Sequence, residues 1–301
     1  AQAALKPGAA FIEFFTGNPP AAFVVTSDRF RVVPLPNLGN AAVRVAGYAD
    51  LISQASAFDR FGASAGRELY RDLVEPAVAA LPPGTSHLIL APDGPLEMLP
   101  FDALVTDANG RFLIEKFSLS YMPSANNFSM LNDWRPSGQS RPLLAIADPW
   151  YPAPQAASLT RSLFEDDQIR ITPLPYTKQE VDSIVNLVGA DADVLSGRNA
   201  SEGAVKRLDL SKYRTLHFAT HGIASQNHPD RSALILSLSP NQSEDGFLQV
   251  REIYNLKLNA DLVVLSACET NQADQAIGEG VGGLARAFFF AGARSLVASL
   301  W

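Results

Sequence analysis

Short apolar segments separated by turn chemistry open the chain. Residues 10–15, 21–26 and 30–35 are three such segments, divided by Gly17-Asn-Pro-Pro20 and Ser27-Asp-Arg29, and this spacing predicts an antiparallel meander. Residues 39–57 and 63–80 follow with helical spacing, Leu69, Leu73 and Val78 falling on one face of the second and Pro76 predicting a kink or a new turn. A strand over 87–91, turn residues Pro92-Asp-Gly-Pro95, a strand over 111–121 and a short helix over 126–132 complete this first half. Trp134-Arg-Pro-Ser-Gly-Gln-Ser-Arg-Pro142 is polar and rich in Pro, Gly and Ser, the composition of a linker.

Beyond the linker the pattern alternates. Strands are predicted over 143–147, 192–195, 213–218, 233–238, 262–266 and 295–300, and helices over 178–188, 201–208, 250–256 and 280–291. That alternation implies an α/β fold with a mainly parallel sheet covered by helices on both faces. Residues 149–170 show little periodicity, carry Asp166 and Asp167, and read as an exposed loop.

Two strand ends carry the chemistry. In Leu262-Val-Val-Leu-Ser-Ala-Cys-Glu-Thr270 four apolar residues form a short buried strand, and small Ser266 and Ala267 let the backbone turn, which puts Cys268 at the strand's C-terminal mouth. Ligands of open α/β sheets bind in the crevice outside those ends. Thr215-Leu-His-Phe-Ala-Thr-His-Gly222 has the same form, with His221-Gly222 at its tip, 47 residues before Cys268. A thiol with a free pKa of about 8.5 needs a nearby base to become a nucleophile at neutral pH. The ordinary fate of a lone cysteine at a strand end is burial as a small apolar residue, so both readings stand at this point. His217 precedes His221 by four, but the window is strand-like and further ligands are absent from it, so the pair is not a helical zinc motif and His217 is expected to support the site. His228 lies in a polar loop, and His87 in an apolar strand is expected to be a core histidine. Gly278-Glu-Gly280 lacks the Gly-Lys-Ser/Thr of a phosphate loop, and Phe288–Phe290 reads as a core face.

Composition narrows the class. With 47% hydrophobic and 18% charged residues the chain of 301 residues is an ordinary globular protein. Its net charge of −7 and its lack of a basic run argue against nucleic acid or an anionic membrane as a direct partner. One cysteine excludes an intrachain disulfide and a multi-cysteine zinc site, and fits a reducing, cytoplasmic compartment. No apolar run reaches the ~18 residues of a membrane helix, so a soluble protein is expected. The N-terminus lacks an initiator Met and a signal pattern and reads as a processed or fragment end, while residues 295–300 read as a strand stopping at its last residue.

His217-Phe-Ala-Thr-His-Gly222 and Ser266-Ala-Cys-Glu-Thr270, followed by Gly278-Glu-Gly280 and the run from Ala285 to Trp301, resemble the CHAT domain, a caspase-like, separase-related cysteine peptidase family. Caspases likewise place the histidine about 50 residues before the cysteine. Pro92-Asp-Gly-x-Leu and Leu99-Pro-Phe-x-Ala-Leu104 resemble the catalytically empty N-terminal half of such proteins. The resemblance implies a pseudo-catalytic scaffold over 1–140 and a caspase-like peptidase half over 141–301 whose natural chain continues past Trp301. It implies a Cys268–His221 dyad cleaving a specific protein substrate without cofactor or metal. The backbone N–H groups of Gly222 and Cys268 would hold the oxyanion. Glu269, Ser266, Asp245 and His228 are candidate substrate contacts, and tetratricopeptide-like helical repeats, on the same chain or a partner, would regulate the enzyme. Two rival readings are a catalytically silent interaction module and a small-molecule thiol hydrolase.

Overall fold

A computed structural model describes residues 1–53, 62–133, 137–151, 171–223, 229–238, 243–267 and 277–298. The chain divides into two compact units, residues 1–135 and 136–301. In the first, β1 (Ala9–Phe15), β2 (Ala21–Val25) and β3 (Phe30–Pro34) form the expected antiparallel meander. β4 (His87–Ala91) pairs parallel with β1, and β5 (Ser118–Tyr121) parallel with β4. Side chains alternate across β1, so Ala10, Ile12 and Phe14 enter one core while Phe11 enters a second on the opposite face. Helix α1 (Ala41–Ser53) and a helical segment packed on the first core cover one face.

That segment is not one helix. It runs as α2 (Ala63–Leu69), a π-helical turn (Tyr70–Val74) and α3 (Glu75–Ala79). Pro76 sits in the first turn of α3, where its missing N–H costs no hydrogen bond. The strand expected over 111–121 is shorter. Glu115 turns back to accept the Phe112 N–H at 2.6 Å, which closes a 3₁₀ turn at Leu113–Glu115 and leaves only β5 extended. Helix α4 (Ala125–Asp133) follows.

The second unit is built on five parallel strands in the order β13-β12-β8-β6-β7: β6 (Arg141–Pro149), β7 (Asp193–Gly197), β8 (Tyr213–Ala219), β12 (Leu262–Leu265) and β13 (Leu296–Ala298). Helix α5 (Pro175–Val188) covers one face, with Val181 packed on Leu143, Ala145, Ala147 and Ala219. The other face carries α6 (Glu202–Arg207), the single turn α7 (Val250–Ile253) and α8 (Ile277–Ala291), which bury Val205, Ile253 and Phe288 against Leu144, Ile146, Phe218 and Leu265. A sheet clothed on both faces explains the near-continuous apolar strands. The unit therefore has the caspase-like α/β fold.

A second, three-stranded antiparallel sheet was not foreseen. It comprises β9 (His221–Ile223), β10 (Ala233–Ile235) and β11 (Phe247–Gln249); β10 falls within the strand expected over 233–238, while β9 and β11 are too short for periodicity to register. Only Thr220 separates β8 from β9, so one chain segment leaves the parallel sheet and joins the antiparallel one within a residue.

The elements around this second sheet are tied by a charge cluster. The Lys206 ammonium lies 2.6 Å from Glu202 on its own helix, 2.9 Å from Glu244 before β11 and 2.8 Å from Glu252 on α7. Glu202 is fully buried and also accepts the Gly246 N–H at 2.8 Å; burial pushes its pKa up to about 7 against the opposing pull of Lys206. Removing the cation would leave three carboxylates together, one of them out of reach of water. Lys206→Ala is accordingly expected to destabilise the domain by about 3–5 kcal/mol in urea unfolding, and a loss under 1 kcal/mol would show the cluster to be energetically idle.

Candidate active site

The candidate site residues fall at the C-terminal mouth of the parallel sheet. β8 and β12 are parallel neighbours in the register Thr215↔Leu262 to Phe218↔Leu265, and the Ser266 N–H extends the ladder by donating to the Phe218 carbonyl at 2.8 Å. The two tips identified from sequence thus end side by side. A Cβ built on Gly222 would lie 3.4 Å from the Ala267 Cβ, so the backbone just after β8 passes close beside the residue immediately before Cys268. Cys268, Glu269 and His228 themselves lie outside the described residues.

His221 starts β9, paired with Ile235 of β10, and is only 6% exposed. Its Nε2 lies 2.7 Å from the Thr172 carbonyl oxygen. A carbonyl oxygen can only accept, so Nε2 carries the proton and Nδ1 is the basic nitrogen of the neutral ring. Desolvation pushes the imidazole below its ordinary pKa of 6.5, against the opposing pull of the Thr172 hydrogen bond. Tyr151 packs on the imidazole with ring centres 5.5 Å apart, while its hydroxyl donates to the Ile235 carbonyl at 2.9 Å. The phenol is therefore anchored to the residue paired with His221, and its ring limits how the imidazole can turn. Tyr151 is buried, which corrects the exposed-loop expectation at that position; residues 152–170 of that stretch lie outside the described residues.

On the α5 face, His217 is 6% exposed and its Nε2 donates to Glu180 Oε1 at 2.8 Å. Ser266 Oγ donates to the other carboxylate oxygen, Oε2, at 3.2 Å. Both histidine-bearing and cysteine-bearing motifs therefore send a polar side chain to one acid. Asp245 is exposed before β11, where its Oδ1 accepts the Phe247 N–H at 2.9 Å, two strands from His221 in the small sheet. In the first unit, His87 hydrogen-bonds Ser120 Oγ at 2.8 Å and is only partly buried. Glu202, Glu244 and Glu252 bring carboxylate oxygens within 4.8 Å of one another, a spacing that suits a cation, and the Lys206 ammonium occupies that position.

Sequence reasoning did not single out Glu180, Tyr151 or Thr172. A signal for the first was available: Glu180 stands three residues after Thr177 and four before Ile184, both on the inner side of α5, so it is a charge placed where an amphipathic helix faces its sheet.

A caspase-like α/β fold with a histidine-glycine tip beside the strand that leads to a lone cysteine defines the class as a caspase-like protein. Residues 63–301 match the family model of the CHAT domain, and the chain belongs to that caspase-like peptidase family. The match begins within the first unit and runs through the whole of the second. Among curated proteins the chain is 26% identical over 279 residues to human Tetratricopeptide repeat protein 28 and 25% identical to its mouse counterpart. Each alignment covers 78% of this chain and 11% of the relative, so the chain spans about a tenth of their length. No helix among the described residues is long and apolar enough to cross a membrane.

The depressed pKa of His221 has a signed consequence for stability. As pH falls, the unfolded chain takes up this proton near 6.5 while the folded ring does so only at lower pH, so folding loses free energy across that interval. Urea unfolding between about pH 7 and about pH 5 should show a steeper loss in the wild type than in His221→Gln; equal slopes would contradict the burial account.

Proposed function

We propose that this domain is a cysteine endopeptidase in which Cys268 is the nucleophile and His221 the base. The observation that carries this reading is the state of His221: its Nε2–H is committed to the Thr172 carbonyl, which leaves Nδ1 basic, at a tip whose Gly222 passes close beside Ala267, the residue before the cysteine. Nδ1 takes the thiol proton, the sulfur attacks the scissile carbonyl, and the histidinium returns the proton to the departing amine. The acyl-enzyme is then released by a water that gives its proton to the same nitrogen. Backbone N–H groups of Gly222 and Cys268 hold the oxyanion, a role for which a residue without a side chain at 222 leaves room. The low polarity around a buried histidine strengthens these interactions.

The first unit serves as a scaffold without its own reaction, in keeping with a sequence that offers it no cysteine. Relatives named for tetratricopeptide repeats and several times longer than this chain support regulation by helical repeats, on the same polypeptide or on a partner. The substrate is a protein recognised at the sheet mouth, with Glu269, His228 and Asp245 as candidate contacts.

Cys268→Ala and His221→Ala should each abolish cleavage of the cognate protein, with an unchanged far-UV spectrum. Mass spectrometry of neighbouring proteins incubated with wild type or Cys268→Ala identifies the cut bond. Proteolysis that persists in purified Cys268→Ala rejects the reading, and turnover of small esters without any protein cleavage would assign the site to a thiol hydrolase instead.

A further inference from the structure

Two polar residues stand where packing asks for apolar ones. His217 lies in a central strand, on the face where Ala145 and Val264 are its partners in register and α5 covers the sheet. Ser266 follows β12 on the same face, two positions beyond Val264. His217 is buried and Ser266 half-buried, and a polar group withdrawn from water under a helix costs free energy unless it is hydrogen-bonded. Both find the same acceptor. Glu180 takes the His217 Nε2–H at 2.8 Å on one oxygen and the Ser266 hydroxyl at 3.2 Å on the other, from positions 37 and 86 residues away along the chain.

We propose that Glu180 is a positioning residue: by holding His217 on β8 and Ser266 at the end of β12 together, it fixes the relative placement of the strand end that precedes His221 and the one that precedes Cys268. The inference rests on the dyad reading and names its support. Main-chain pairing joins β8 and β12 as far as the Ser266 N–H, which donates to the Phe218 carbonyl at 2.8 Å. A carboxylate accepting from both strands adds a lateral side-chain tie at that end of the pairing, from a helix whose own position is fixed by Val181 in the core. The arrangement also excludes Ser266 as a nucleophile activated by His217, because the acid stands between them and accepts a hydrogen bond from each rather than orienting a base toward the hydroxyl.

Cys268 is the only cysteine of the chain, so alkylation by iodoacetamide reads that thiol alone and needs no knowledge of the substrate. The rate against pH should be measured for wild type, Glu180→Ala, Glu180→Gln and Ser266→Ala, with thermal unfolding alongside. Glutamine keeps both links, its carbonyl accepting from His217 and its amide donating to the Ser266 oxygen. The expected result is that Glu180→Ala and Ser266→Ala slow alkylation at neutral pH by about 10–100-fold and move the profile toward the free-thiol midpoint of about 8.5, with Glu180→Gln close to wild type. A residue that merely satisfied a buried histidine would lower the melting temperature and leave the profile in place. Superimposed profiles for Glu180→Ala, Ser266→Ala and wild type overturn the proposal, and Ser266→Ala alone decides if Glu180→Ala does not fold. A wild-type profile already centred at about 8.5 overturns the dyad reading, and with it this one; it is told apart because no Glu180 variant enters that result.

Discussion

The structure depends on one corner of the backbone. At Thr220 the chain passes from β8, bound into a parallel sheet, to β9, bound into an antiparallel one. The parallel pairing fixes where the corner sits relative to β12, and the antiparallel pairing fixes how the next residue is oriented. His221 is that residue. Neither sheet alone would determine both its place and its direction, and this double constraint makes the single hydrogen bond to Thr172 sufficient to set the tautomer.

Around the corner, buried and half-buried polar groups are answered by specific partners, most of them from other segments of the chain. His217 and Ser266 converge on Glu180, Glu202 and Glu252 on Lys206, and the Tyr151 hydroxyl on the carbonyl of Ile235. Such contacts add little net stability when made and cost much when broken, so they specify one arrangement more than they strengthen the fold. Their placement is unequal. Each motif strand is braced by polar contacts from α5 on one face, while on the opposite face it is held by the apolar packing of Leu144, Phe218, Leu265 and Phe288. Rigid support on one side and a close-packed core on the other leave the sheet mouth as the place where chemistry can be added without disturbing the core.

Much of this was legible in the sequence because it was local. The meander of the first unit, the alternation of the second and the two strand tips each follow from spacing within a few residues, and the motif order carried the family. The three-stranded sheet was not legible, since His221–Ile223 is too short to show a period. Glu180, Tyr151 and Thr172 escaped for a different reason: each acts through a partner 37 to 86 residues away, and no pattern within a window reports such a pairing. A strand histidine under a helix is not left unsatisfied, and His217 finds its partner in Glu180.

The central claim is that the corner delivers a neutral histidine, basic at Nδ1, to the thiol that follows β12. A crystal structure of the domain with Cys268 alkylated by a peptidyl electrophile tests it most directly. The account predicts His221 Nδ1 within about 3.5 Å of the sulfur, the Thr172 hydrogen bond intact, and the ligand carbonyl oxygen about 3 Å from the Gly222 nitrogen. An adduct in which the imidazole is turned away from the sulfur, or in which the carbonyl oxygen points into solvent, would contradict it.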